Sequence, residues 1–318
     1  MKKIIFKFII FYFISLQSAC AWFPSAKEDP YTLVKTWGTK GTKLGEFNEP
    51  TGIAVFENKV YVSDSRNTRI QVFDLEGNIK HTFGQEGDEN RSLSRPMNIS
   101  ITNKELYVAD YFNDRIQVYE LNGAFKHSIG KSGNGNGEFN APGGVAVAKN
   151  GDLYVADFYN QRIQQLKANG DFIRQWGTTE EAGTFSGKLN YPTDVALDKK
   201  DHLYIADGYN DRIIAIGENH EILTKWGGPL AINIYGSFNG WFTTVTGITV
   251  GPKGNIFVAD FYNDRIQKFT YDGTFLNSFS ITSDGLTHTA IAVAVADDGT
   301  VFVADYANHQ IQKWRLGE

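Results

Sequence analysis

The chain has 318 residues, with 31 Lys plus Arg against 36 Asp plus Glu, a net charge of -5 and a single Cys. That is enough chain to bury a core without staples, and one thiol supports neither a disulfide framework nor a thiolate metal cluster. An acidic balance without basic runs leaves no footprint for a phosphate backbone, while 32 Gly, 23 Phe, 15 Tyr and 6 Trp beside 21% charged residues describe short strands and tight turns.

The first segment opens with Lys2, Lys3 and Lys7, continues through an uncharged apolar run over 8–16 and ends on Ser18 and Ala19 before Cys20. Nine apolar residues are too few to cross a bilayer, which takes ~20, so residues 1–19 read as an export signal. With Cys20 at the cleavage point the segment resembles a bacterial lipoprotein signal, which implies lipidation of Cys20 and a place in the cell envelope. It departs from that pattern in carrying Gln17 three residues before the Cys, with the Leu one step earlier at Leu16. Cleavage after Ala21, by the small residues Ala19 and Ala21, is the alternative and implies a periplasmic or secreted protein. Removing 1–19 takes away three Lys and no acid, leaving a charge of -8. Residues 20–30 follow as a tether.

From 31 to 318 the chain repeats. The string Tyr61-Val-Ser-Asp64-Ser-Arg-Asn67-Thr-Arg69-Ile70-Gln71 recurs at 107–117, 154–164, 204–214, 257–267 and 302–312. Its acid falls at Asp64, Asp110, Asp157, Asp207, Asp260 and Asp305, at spacings of 46, 47, 50, 53 and 45. Before each string lies a small, branched run such as Gly52-Ile-Ala-Val55, and after it an alternating segment such as Ile173-Arg-Gln-Trp-Gly177. Each unit thus holds four strand-like pieces, which cannot bury both sheet faces alone; a closed ring of such sheets can.

The Tyr-Val-Ala-Asp-x-x-Asn-x-Arg-Ile-Gln string resembles the NHL-repeat signature in six copies covering essentially all of 31–318, which implies an all-β, six-bladed propeller of four-stranded antiparallel blades. The sixth copy supplies strands near 290–296, 301–305 and 310–315 and lacks a fourth. Residues 32–38 resemble the outer strands ending in Trp176-Gly177 and Trp226-Gly227, so the N-terminal strand is expected to complete the last blade. If inner strands run downward from the top face, Tyr31 begins at the bottom. A tether of ten residues then holds the body at most roughly 35 Å off a membrane, with the top face outward.

The repeated acids, with Arg69, Arg115, Arg162, Arg212 and Arg265 five residues on, read as structural ion pairs rather than catalytic acids, because every copy has them. Copy six has Gln310 in place of the Arg, and Asp305 should lack a charged partner. The Asn at 67, 113, 160, 210, 263 and 308 are turn-makers. Between Asp and Asn, eight of twelve top-face loop positions are aromatic. At the second position, Phe112, Tyr159, Tyr209 and Tyr262 are expected to pack against neighbouring blades, as in many NHL repeats. At the first, Tyr111, Phe158, Phe261 and Tyr306 are expected to form a partly exposed ring, broken in copies one and four, that binds a protein, peptide or glycan. The long connection 227–245 adds Tyr235, Phe238 and Trp241 as contact candidates, with Phe242 in the core.

Catalysis is the competing class. Amidating lyases of the NHL type hold zinc through His, and lactonase-type propellers hold a divalent metal in the channel. Here the inner-strand starts are Thr51, Asn98, Gly144, Asp194, Gly247 and Ala292, and none of His81, His127, His202, His220, His288 and His309 falls on an inner strand. A metal-dependent lyase or lactonase would have to draw on Asp194 and Asn98 with a loop residue such as His288. The expected reading is a monomeric binding scaffold with no catalytic residue, no metal, no cofactor and no nucleic-acid partner. RNA binding, as in animal NHL proteins, would require a basic top face.

Overall fold

The computed structural model describes residues 24–84, 91–281 and 289–317. Six four-stranded antiparallel sheets form a ring, five of them ordered from the axis outward as the chain visits them. Blade 1 consists of Pro50–Phe56, Lys59–Asp64, Arg69–Asp74 and Ile79–Phe83. The next four blades repeat that order, with inner strands Pro96–Thr102, Pro142–Val147, Pro192–Leu197 and Val245–Val250. Blade 6 takes Ala290–Val295, Val301–Asp305 and Gln310–Leu316 from the end of the chain and Tyr31–Trp37 from its beginning. That last pairing runs antiparallel from Tyr31 opposite Leu316 to Trp37 opposite Ile311, which is the closure that the likeness of 32–38 to the outer strands implies.

The core lies between sheets rather than within one. Tyr204, Ile213 and Trp226 of blade 4 meet Ile248, Val258 and Phe269 of blade 5, and Phe302 and Ile311 of blade 6 meet Ile53, Val62 and Phe73 of blade 1 across the closing seam. Both faces of each second strand are buried, so no blade is complete without its neighbours. Inner strands crowd the axis. A Cβ on Gly247 would lie 2.7 Å from the carbonyl of Ile291, and only glycine allows such an approach.

The repeated polar string bolts each blade to the loop that enters it. In blade 3, Arg162 Nε donates to Asp157 at 2.8 Å. The Arg162 guanidinium also donates to the carbonyls of Gly135 and Glu138 in the incoming loop. Asn160 and Gln164 donate to the same carboxylate. Asp64–Arg69, Asp207–Arg212 and Asp260–Arg265 repeat the pair at 2.7–2.8 Å, and Asp110–Arg115 is longer at 3.5 Å. Asp305 is held instead by the amides of Asn308, Gln310 and Gln312.

A second bolt, unseen in the sequence, sits one residue past the turn Asn in five of the six copies. Asp114, Gln161, Asp211 and Asp264 accept from the backbone N–H groups of Ala141, Tyr191, Thr244 and Thr289, each just ahead of the next blade's inner strand. At the closing seam the same position is His309, whose Nδ1 accepts from Glu49 N–H at 3.0 Å. Burial, then Lys40, holds this imidazole below its usual range, as an acceptor requires.

The start of the described chain corrects the expectation of a free spacer below the bottom face. Residues 24–30 lie along the outer flank of blade 5. Lys27 N–H donates to Leu276 O, Asn277 donates to Asp29 O and Asn239 donates to Pro24 O. Lys268 pairs with Glu28 at 2.7 Å under the Tyr31 and Phe257 rings. The segment therefore climbs from the bottom at Tyr31 toward the upper rim at Pro24. Residues 1–19, expected to be an export signal, and Cys20 lie outside the described residues.

Candidate ligand-binding bowl

The top-face turns position the aromatic residues. In blades 1, 2, 4 and 5 the three residues after the repeat Asp form a 3-10 turn, closed by a residue in the left-handed region such as Asp114 at φ 51°. The first turn residue faces the inner-strand starts. Where copy four has Gly208, a Cβ would meet Thr193 at 2.7 Å and the carbonyl of Val245 at 3.0 Å.

This geometry agrees with the partial exposure expected at the first turn position and corrects the burial expected at the second. Tyr111, Phe158, Phe261 and Tyr306 are half-buried against the inner-strand starts. Phe112, Tyr159, Tyr209 and Tyr262, expected to pack between blades, are 47–61% exposed because the tight turn projects its second side chain away from the protein.

The rings form two runs, one from blade 2 to blade 4 and one from blade 5 to blade 6. Tyr111 lies 6.2 Å from Phe158, and Phe158 lies 4.9 Å from Tyr191. Tyr191, which the repeat string does not include, bridges from Phe158 to Tyr209, which it reaches at 5.1 Å. Phe261 continues to Tyr306 at 6.3 Å. The gap at copy one is filled by charge: Glu49 pairs with Arg66 at 2.5 Å and Arg95 at 3.5 Å, and the Arg95 guanidinium lies over Phe112 at 5.4 Å. The signal for Tyr191 and for these charges was the residue before each inner strand, Glu49, Arg95, Ala141, Tyr191, Thr244 or Thr289, a place the repeat leaves variable.

The turn aromatics of blades 2, 3, 4 and 5, with Arg95, wall a bowl of about 640 Å³ whose lining includes Asn98, and Tyr191 and Tyr306 stand beside it in ring contact with Phe158 and Phe261. Below it the axial channel, about 280 Å³, is lined by inner-strand residues, Asn98 and Asp194 among them. The structure brings these two together. The Asp194 carboxyl accepts from Ile248 N–H at 3.0 Å, on the side of the channel lining that also holds the Asn98 side chain. It reaches there past Gly144, where a Cβ would lie 2.1 Å from its oxygen. Burial pushes this carboxyl up to about 8, against the pull of its hydrogen bonds, so it is mostly neutral at pH 7.

Among the described residues no three His, Cys, Asp or Glu side chains converge as a metal site, and no His lines the bowl or the channel. His202 pairs with Asp198 on a bottom turn, and His288 lies outside the described residues. Tyr235, Phe238 and Trp241 do not join the bowl. Tyr235 and Phe238 stand 70% and 51% exposed on the outer upper rim, with Trp241 5.2 Å from Phe238, while Phe242 is buried. The two sets of aromatic candidates are thus separate surfaces.

Comparison with known proteins agrees with this architecture. A family described as "6-bladed beta-propeller" matches residues 86–212, and the NHL repeat matches 47–73, 242–269 and 289–314, so the two descriptions cover different blades of one ring. The chain is a six-bladed β-propeller. Segments in three of its blades, the first, fifth and sixth, match the NHL repeat.

Among curated proteins, Protein brain tumor of Drosophila melanogaster is 47% identical over 45 residues, which are 14% of this chain and 4% of that protein; the match thus spans a small part of the relative's length. Among solved structures, a protein of unknown function from Bacteroides thetaiotaomicron aligns with a TM-score of 0.68 at 16% identity, over 91% of this chain and 77% of that one. A streptogramin B lyase aligns at 0.62 and 16%, over 90% and 98%. Virginiamycin B lyase from Staphylococcus aureus aligns at 0.59 and 17%, over 90% and 100%. At these identities the likeness is one of fold.

Proposed function

We propose that this propeller is an exported, lipid-anchored scaffold of the bacterial cell envelope that holds a ligand or partner in its top-face bowl and catalyses nothing there. The bowl itself carries the reading: exposed rings at Phe112, Tyr159, Tyr209 and Tyr262 stand above a half-buried ring at Tyr111, Phe158, Phe261 and Tyr306. Displaying that much aromatic surface around a concavity costs hydration and favours a ligand with an apolar or sugar face, or a protein side chain that fills the bowl. Export and anchoring rest on residues 1–19 and Cys20, and the acidic chain argues against nucleic acid.

The test replaces Phe112, Tyr159, Tyr209 and Tyr262 together by Ser. Exposed rings contribute little to stability, so the thermal midpoint should move by no more than ~2–3 °C. Immobilised wild-type protein should retain an envelope component that the variant releases. Equal retention by both sinks the reading.

A lyase reading draws on a different observation, the neutral Asp194 carboxyl beside Asn98 in the throat. It differs measurably, because a metal-dependent lyase purified from its source would carry about one zinc or calcium per chain.

A further inference from the structure

The connection from the outer strand of blade 4 (Ile222–Trp226) to the inner strand of blade 5 contains no charged residue over positions 227–244. Within nine residues it exposes Leu230 (83%), Ile234 (41%), Tyr235 (70%) and Phe238 (51%). Single exposed apolar side chains are ordinary; four on one uncharged loop are not.

The display has a built shape. Leu230, Ala231 and Asn233 all adopt positive φ, at 56°, 49° and 65°, a region costing roughly 1–2 kcal/mol for a residue with a Cβ. Ala231 is buried and its carbonyl accepts from Arg212, while Gly236 N–H donates to Phe242 O. The backbone is thus held from inside while Leu230 is turned to solvent.

A second observation says what covers it. The segment 24–30 brings the N-terminal end of the described chain to this same loop, through the hydrogen bond from Asn239 to Pro24 O at 2.9 Å. Exposed Lys27 and Lys225 flank the groove in which Pro24 lies. Cys20 precedes Pro24 by four residues, which span at most about 14 Å at ~3.6 Å each. Acyl chains on Cys20 would therefore enter a bilayer beside this loop.

We propose that the upper rim of blades 4 and 5 is a lipid-contact surface, in which Leu230, Ile234, Tyr235 and Phe238 sit in the bilayer interface next to the Cys20 acyl chains. The inference rests on the anchoring reading and adds orientation to it. Aliphatic and aromatic side chains without charge suit the interfacial layer, Lys27 and Lys225 suit anionic headgroups, and a second contact turns a swivelling tether into a fixed pose. Blades 1 and 2, opposite in the ring, then face away from the membrane.

The test uses the full acylated chain in vesicles of phosphatidylethanolamine and phosphatidylglycerol. Its one native thiol is then blocked, so Tyr235→Cys, Leu230→Cys and, at the bottom of blade 3, Asn150→Cys each take a single polarity-sensitive fluorophore. Labels at 230 and 235 should shift to the blue, brighten at least twofold and be quenched by brominated lipid, while the label at 150 should do none of these. Vesicle flotation with water-like emission from both 230 and 235 overturns the docking surface and leaves the anchor standing. Failure to float, with Cys20 unmodified by mass, overturns both.

Discussion

Asp157→Ala is expected to destabilise the propeller by ~3–5 kcal/mol, lowering the thermal midpoint on the order of 10 °C. Asp157 is fully buried and Arg162 is 1% exposed. Removing the carboxylate leaves a guanidinium with carbonyl partners and no counter-charge, and it strips the acceptor from Asn160, Gln164 and Asn140 N–H. Burying an unpaired charge costs more than the pair contributed. The same change at Asp305 should cost ~1–3 kcal/mol, because its partners Asn308, Gln310 and Gln312 are neutral. Adding Arg162→Met to Asp157→Ala should recover part of the loss, since the stranded cation is then gone. Denaturant unfolding of the four proteins checks this, and equal losses at 157 and 305 would show that the cation is not what makes these clusters matter.

The second large effect is electrostatic and lies in the throat. Asp194 has its folded pKa raised to about 8 by burial, far above the ~3.9 of an unfolded aspartate. The folded state keeps a proton that the unfolded chain releases, so this group favours folding fully below about pH 4 and loses that contribution as pH rises to about 8. Asp194→Asn removes the titration while keeping a polar group able to bond Ile248 N–H, with the Asn98 amide free to turn its oxygen or nitrogen toward it. The variant should gain a few kcal/mol relative to wild type between pH 4 and 8, measured as a widening difference in thermal midpoint. A constant difference across that range would mean that Asp194 is ionised in the folded state.

The fold was legible because its determinants are local and sixfold. One string sets a buried strand, a turn and, in five of the six copies, an Arg that reaches back five residues, with Gln310 in its place in the sixth. Closure by Tyr31–Trp37 was legible for the same reason, as a segment matching outer strands that the last copy lacks. Other features depend on contacts far apart in the chain. Nothing in 24–30 marks Asn239 and Lys268 as its partners, more than 200 residues away. Tyr191 links Phe158 to Tyr209 from outside the repeat string, 33 and 18 residues from its ring partners. The exposure of Phe112 beside the half-buried Tyr111 follows from a 3-10 turn, which a pattern of aromatic pairs does not encode.

The bowl as the place where this protein meets its ligand is tested most directly by photo-crosslinking in the cells that make it. A benzophenone amino acid would replace Tyr159 or Tyr209 on the rim, or the exposed Asn150 beneath blade 3. Defined adducts from 159 and 209, absent at 150, are the expected outcome. Adducts from 150 alone, or the same species from all three positions, would contradict it.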